Sequence, residues 1–291
     1  MISIVIISKD EGSLDGTLEQ VRGQVRDLTE PTEVVVVDAS AGRLRHIQQR
    51  HESEVRWLDF QPPPGVNISI PHQRNAGVHA ATGEVIVFTD AGCHPEPGWL
   101  ARLVAPLWDG EKVTVGRTTG VSGSAGPYAQ VEFEPGQDIY LRECATINLA
   151  FRREAFDDVG GFDEGFAYGS DVDFSWRLRD AGYRLRSVPD AAIAHDWGSR
   201  RRQLRRSYVY GRARARLYRK HRFRLKKALR NDPVMVVYPL YLLGLPLTLI
   251  FPLYPLLLLI PVWRNRAFGG ARTVADHLLY GIGVLAEVMR L

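Results

Sequence analysis

Asp38, Asp90, Asp171 and His195 stand at the ends of short apolar runs or at a helix start, where a polar side chain is presented rather than buried. Asp90 closes the run Val85–Phe88 after Thr89, a place from which a carboxylate can hold a divalent ion against a diphosphate. Asp38 closes Val34–Val37, where it either accepts hydrogen bonds from a base or ribose or caps the following turn. Asp171 lies in the first turn of a helical pattern and is the best candidate for a general base. The helix N-terminus there also favours its charge, which lowers the pKa that a base would want near 7. His195 ends Ala191–Ala194, and a lone His in that place is usually structural. The company of Asp90 and Asp171 makes it a ligand candidate. Arg74 and Asn75 open another helical pattern and suit phosphate or ribose contacts. Together these residues could grip a nucleotide-linked diphosphate, neutralise it as it leaves, and deprotonate a hydroxyl.

The elements that would position them form an alternating series. Ile2–Ile7, Val34–Val37 and Val85–Phe88 are uninterrupted, β-branched runs, the pattern of strands buried on both faces of a parallel sheet. Helical patterns occupy Leu14–Val25, Gly42–Arg50, His72–Ala81 and Pro97–Leu107 between and after them. The order implies a doubly wound α/β domain that binds ligand beyond the carboxyl ends of its strands. Those ends read Ser8-Lys9-Asp10-Glu11, Asp38-Ala39-Ser40 and Thr89-Asp90-Ala91-Gly92, three polar rims expected to converge. Residues 118–146, rich in Gly, Ser and Pro, read as loop. A strand near Ile147–Phe151 follows, then a helix over Asp171–Ala181 capped by Ser170, and short strands over Arg184–Val188 and Ala191–His195.

Charge divides the chain more sharply than its net +4 suggests. Residues 1–199 carry a net −12, whereas residues 200–231 hold 15 Lys/Arg and no acid. Val234–Trp263 then runs 30 residues without a charge. That is longer than the roughly 20 residues that cross a bilayer, but five prolines interrupt it. A kinked span or a re-entrant pair of short helices is expected rather than one rod. Beyond it, Val274, Leu278, Ile282, Leu285 and Met289 form a helical stripe opposite Asp276, Glu287 and Arg290, suited to an interface or to packing on the first segment. Beside an apolar segment, the collar Arg200–Arg230 reads as a contact for anionic lipid, and no nucleic acid is expected. Its excess of cations over Arg264, Arg266 and Arg272 places the acidic body on the cytosolic face of a cell membrane. Three segments follow: 1–199 catalytic, 200–231 a basic juxtamembrane helical collar, and 232–291 a hydrophobic membrane segment with an amphipathic helix. Cys93 and Cys144 form no paired spacing, which suits a reducing compartment.

In order along the chain, Ile2–Glu11, Val34–Ser40, Arg74-Asn75-Ala76-Gly77 and Phe88–Gly92 resemble the family 2 glycosyltransferases. The likeness continues through Asn148–Arg153, Gly160–Glu164, Ser170–Asp173 and His195. The resemblance covers about residues 1–200 and implies an inverting enzyme with a GT-A fold, to which the apolar run adds a C-terminal α-helical membrane-associated segment. It implies that Ser8, Glu11 and Asp38, with Arg74 and Asn75, bind the nucleotide-sugar donor. Asp90 would meet its phosphates or, with His195, a Mg²⁺ or Mn²⁺ ion. Asp171 would be the catalytic base, and Gly161, Phe162 and Asp163 would border the acceptor, for which membrane attachment suggests a lipid-linked or envelope glycan. The family's Asp-x-Asp reads Asp90-Ala91-Gly92 here, so one metal carboxylate is missing. Gln203-Leu204-Arg205-Arg206 lacks the tryptophan of processive synthases, which favours transfer of a single sugar. The alternatives are a non-catalytic nucleotide-sugar-binding scaffold of the same fold and a nucleotidyltransferase.

Overall fold

The computed structural model describes residues 1–120, 133–134 and 137–290. It divides into two compact units, Met1–Asp196 and Trp197–Leu291. The first unit opens with β1 (Ile2–Ser8), α1 (Leu14–Arg26), β2 (Thr32–Asp38), α2 (Arg45–His51), β3 (Val55–Asp59), α3 (Ile70–Ala80) and β4 (Val85–Asp90). It continues through β5 (Cys93–Pro95), α4 (Trp99–Trp108), β6 (Val113–Gly120), β7 (Phe133–Glu134) and β8 (Gln137–Leu141). The unit closes with β9 (Asn148–Arg152), α5 (Arg153–Asp158), α6 (Ser170–Asp180) and β10 (Leu185–His195).

One mixed sheet runs β3-β2-β1-β4-β9-β6-β10-β8-β7, with β5 pairing β10 from outside that path. The strands β3, β2, β1 and β4 are mutually parallel, so their carboxyl ends share one edge. Antiparallel β9 then separates β4 from β6. Apolar side chains cover both faces of the sheet. On one, Ile2, Ile4 and Ile6 pack with Leu14, Leu18, Trp99 and Leu103. On the other, Val5, Val35 and Val37 pack with Val78, Phe88, Phe151 and Phe174. This two-sided burial is why β1, β2 and β4 read as unbroken apolar runs.

Helix α3 lies unusually close to the sheet, because a Cβ on Gly77 would collide with Val5 Cγ1 and sit 3.2 Å from Val37 Cγ2. Gly77→Ala is therefore expected to cost about 1–3 kcal/mol, as overpacking does, measured by urea unfolding. An unchanged midpoint would mean that α3 can lift off β1 freely.

Several sequence expectations change here. The 118–146 loop is only partly one: its first residues finish β6, and Gln137–Leu141 forms β8, while 121–132 and 135–136 lie outside the described residues. Arg184–Val188 and Ala191–His195 are one strand, β10, whose register against β6 shifts between Val188 and Ala192 at Pro189. Ser170 is the first residue of α6, and left-handed Gly169 occupies the cap position.

The second unit is helical: α7 (Arg200–Lys220), α8 (Ala228–Asn231), α9 (Pro233–Leu243), α10 (Leu259–Arg264) and α11 (Ala271–Val288). No helix among the described residues is long and apolar enough to cross a membrane, so the expectation of a transmembrane helix is not met. The prolines are the physical reason. Pro246, Pro252 and Pro255 break the apolar run into 3-10 turns at Leu245–Leu249 and Tyr254–Leu258 between α9 and α10. The collar also changes meaning. Arg212, Arg216 and Arg219 converge on the buried Glu287, and Arg200 pairs with the buried Asp276 at 2.7 Å. Arg200, Arg212, Arg216 and Arg219 are therefore engaged inside the unit, whereas Arg201, Arg202, Arg205 and Lys220 are exposed.

Candidate active site

The parallel register sets the rim: Ser8 is level with Asp38, Asp38 with Asp59, and Ile7 with Asp90. The three polar ends read from the sequence do converge, and Asp59 joins them. It was missed with β3, although Val55-Arg-Trp-Leu-Asp59 repeats the motif of an apolar run closed by an acid.

Asp38 is buried, and its Oδ1 accepts from the Ser40 hydroxyl at 2.5 Å and the Ser40 backbone N–H at 3.2 Å. It caps its turn. Burial pushes its pKa up, the Ser40 hydrogen bonds oppose that, and nearby Asp59 adds to it. The Ser40 hydroxyl also accepts from the Asp10 backbone N–H at 2.7 Å, joining the loops after β1 and β2. A second tie links the same loops. Arg43 donates to both Asp10 oxygens, at 2.6 and 3.0 Å, and these bonds hold the Asp10 carboxyl below its usual range. No local motif around Arg43 foretold this, because its partner lies 33 residues away. Glu11 follows on the same loop, half-buried.

Three consecutive residues of α3 then reach in three directions, as a helix with 3.6 residues per turn allows. Gln73 donates to the Ser8 carbonyl at 2.8 Å and the Val37 carbonyl at 2.9 Å, closing the end of the β1–β2 pair. Arg74, buried, donates through Nη1 to the Ser170 hydroxyl at 3.2 Å and lies with its Cζ 5.5 Å from the centre of the Phe162 ring. Asn75 exchanges hydrogen bonds with the Phe162 backbone at 2.8 and 2.9 Å and donates to Glu164 at 2.9 Å. Its amide thus positions the 160–164 turn, a role different from the expected donor contact. Arg177 holds that turn from the other side, through the Val159 and Gly161 carbonyls, and is itself anchored on Asp173 at 2.8 Å.

Phe162 also departs from expectation. Its ring lies in the core, 4.3 Å from Phe174 and 5.6 Å from Phe88 between centroids, and Asn75 occupies its backbone N–H and carbonyl, so the residue as a whole is buried. Gly161 and Asp163 flank it, and Asp163 accepts from the Gly165 backbone N–H at 2.9 Å.

Asp171 sits half-buried in the first turn of α6, its Oδ1 accepting from the Val172 N–H at 2.9 Å. Desolvation pushes its pKa up, Arg74 pulls it down, and Glu143 adds to the rise. Burial therefore outweighs both the arginine and the helix N-terminus, which is the direction a general base requires.

Asp90 and His195 meet around Cys93. His195 pairs with Cys93 across β10 and β5, and its Nδ1 lies 3.7 Å from the thiol. Burial, assisted by the charge on Asp90, pushes that thiol up to about 12, so it remains a neutral neighbour and not a thiolate ligand. Among the described residues no group of three or more His, Cys, Asp or Glu could hold a metal. The turn itself explains the missing carboxylate. Gly92 has φ +83, and a Cβ there would lie 3.3 Å from Ser13 Oγ and 3.9 Å from the His195 ring. An aspartate at this position would be strained. One carboxylate and one imidazole fit an ion that takes most of its oxygens from a diphosphate and water, as Mg²⁺ or Mn²⁺ does.

The family model described as glycosyl transferase family 2 matches residues 3–168. The chain belongs to this family. A second model, glycosyl transferase family group 2, matches residues 143–265. A pre-mycofactocin glycosyltransferase of Mycobacterium tuberculosis is 34% identical over 162 residues, 51% of this chain and 34% of that protein. The glycosyltransferase AglE of Haloferax volcanii is 25% identical over 161 residues, 53% of each chain. The chain thus spans a third to a half of the length of these relatives. The succinoglycan biosynthesis protein ExoA of Rhizobium meliloti is 38% identical over 235 residues, covering 75% of this chain and 70% of that one. Among solved structures, a mannosyltransferase from Pyrobaculum calidifontis in complex with GDP-Man and Mn²⁺ superposes with a TM-score of 0.61. At 18% identity, over 94% of this chain and 85% of that one, it supports the GT-A-like fold.

Proposed function

We propose that this chain is an inverting glycosyltransferase that moves one sugar from a nucleotide-sugar donor to a hydroxyl of a lipid-linked or envelope glycan. The observation that carries the reading is the seat of Asp171. Its carboxylate has a raised pKa and feels the charge of Arg74, on the same helix that ties the strand-end rim through Gln73 and the 160–164 turn through Asn75. In the reaction, Asp171 accepts the acceptor's hydroxyl proton while that oxygen bonds the anomeric carbon from the face opposite the diphosphate. The bond from that carbon to the diphosphate breaks, and its electron pair leaves with the phosphate. Ser8, Glu11, Asp38 and Asp59 form the nucleoside side of the rim. Asp90 and His195 would hold Mg²⁺ or Mn²⁺, which would stabilise the charge of the departing diphosphate. Gly161 and Asp163 border the acceptor.

The relative named for succinoglycan biosynthesis supports a glycan acceptor. The exposed apolar residues between Val237 and Trp263 support attachment to a membrane, with residues 1–199 as the catalytic segment. The basic segment 200–231 then faces anionic lipid on the cytosolic leaflet, and 232–291 provides the anchor.

Titration of the purified chain with UDP-, GDP- and dTDP-sugars, with and without Mn²⁺, tests the donor site. One class is expected to bind, with Mn²⁺ tightening it and Asp90→Ala removing the metal effect. Release of pyrophosphate instead of a nucleoside diphosphate would select a nucleotidyltransferase. Donor binding by the folded protein with no transfer of its sugar to any acceptor would select the scaffold reading, which Gly92 favours.

A further inference from the structure

The second unit combines buried acids with exposed apolar surface. Helix α11 turns Asp276 and Glu287 inward, where they are 3% and 5% exposed, and leaves Ile282 and Met289 outside. The apolar run goes further, with Leu249 and Ile250 exposed at 89% and 86%. Such a surface is expected of a protein whose neighbour is hydrocarbon.

The path of the run defines what kind of contact this is. Tyr241 and Tyr254 stack at 5.1 Å, and the Tyr254 hydroxyl donates to the Tyr241 carbonyl at 2.9 Å. Thirteen residues apart, they bring the chain back to where it left. Residues 242–253 must therefore go out and return. At 1.5–2.0 Å of rise per residue, six residues each way reach roughly 10 Å. That matches the depth of an interfacial insertion and falls well short of an apolar slab about 30 Å thick.

The backbone is prepared for a dry environment. Leu247, Ile250, Phe251, Tyr254 and Leu256 donate their N–H groups to carbonyls within the loop, and Pro246, Pro252 and Pro255 have none to satisfy. Cations follow on the return. Arg264, Arg266 and Arg272 are exposed, and Arg266 Cζ lies 4.6 Å from the Trp263 ring centre, a pairing suited to the headgroup level. A crossing would have to carry those cations through the membrane or place the uncharged tip in water on its far side.

We propose that residues 242–253 form a re-entrant loop inserted into a single leaflet of an anionic bilayer, with Leu249 and Ile250 at its tip and Arg264, Arg266 and Arg272 on the lipid phosphates. The inference rests on the proposed membrane attachment and not on the proposed chemistry. It is tested with the full chain and vesicles of phosphatidylcholine with or without phosphatidylglycerol. The wild type should co-sediment with the phosphatidylglycerol vesicles. Leu249→Glu with Ile250→Glu should weaken binding at least about tenfold, since burying either side chain is worth more than that factor. Donor binding by both proteins reports separately on folding and on the catalytic reading. A fluorophore on Ile250→Cys should be quenched by nitroxides high on the acyl chain and not by those at the bilayer centre. Unchanged binding by the double variant, no binding by the wild type, or reaction of Ile250→Cys with a thiol reagent trapped in the vesicle lumen would each overturn the proposal.

Discussion

Asp171→Asn should lower kcat by a factor of about 10²–10⁴, the usual contribution of a positioned general base, while leaving the donor dissociation constant unchanged. The amide keeps an oxygen to accept the Val172 N–H, so α6 should start as before and the loss should be chemical. Retained turnover in the folded variant would remove Asp171 from the mechanism. The pH profile adds an independent reading. Because burial raises the Asp171 pKa, activity on the acidic side should begin to fall at a higher pH than an ordinary aspartate would give. The deprotonated form is the working one, so activity is retained above that pKa and lost below it. Arg74 opposes the rise, so Arg74→Gln should move the acidic limb further upward and Arg74→Lys should move it back. A limb that ignores the charge at position 74 would mean that another group titrates.

The half of the sheet built on β1, β2 and β4 was legible because its elements repeat a strong local signal. An apolar β-branched run closed by Asp or Ser marks β1, β2 and β4, and the parallel register then places those closures side by side. The same signal existed at Val55–Asp59 but was weakened by Arg56, which β3 tolerates at the sheet's edge. The ties that position the site were not legible, since each joins residues far apart: Arg43 to Asp10, Gln73 to the Val37 carbonyl, Asn75 to Phe162. Phe162 shows the opposite error. It lies inside a motif associated with the acceptor, yet an aromatic side chain beside two glycines packs wherever the core has room, here against Phe174. In the second unit, composition announced apolar surface and positive charge, but it could not say which of them would face inward.

Glu287→Gln should destabilise the helical unit by about 3 kcal/mol, the cost of removing one partner from a buried ionic cluster. Glu287 is covered, and three guanidinium groups approach its oxygens: Arg212 at 2.9 Å, Arg216 at 2.7 Å and Arg219 at 3.1 Å. Their hydrogen bonds and charges outweigh desolvation and lower its pKa to about 2 from an ordinary 4.5. Since the folded pKa lies below the unfolded one, this stabilisation is complete above about pH 4.5 and is lost as pH falls toward about 2. Hydrogen exchange along α7 and α11 measures both effects. The wild type should lose protection across that acid range, and Glu287→Gln should show weak protection already at neutral pH. A variant with full protection at pH 7 would mean that the glycines hold α7 and α11 together unaided: Gly211 lies against the Tyr280 carbonyl, and Gly283 against that of Tyr208. With the cluster intact, three arginines of α7 are engaged in joining it to α11, and the outer surface keeps exposed cations such as Arg201, Arg205 and Arg230 as well as the apolar residues that would meet lipid.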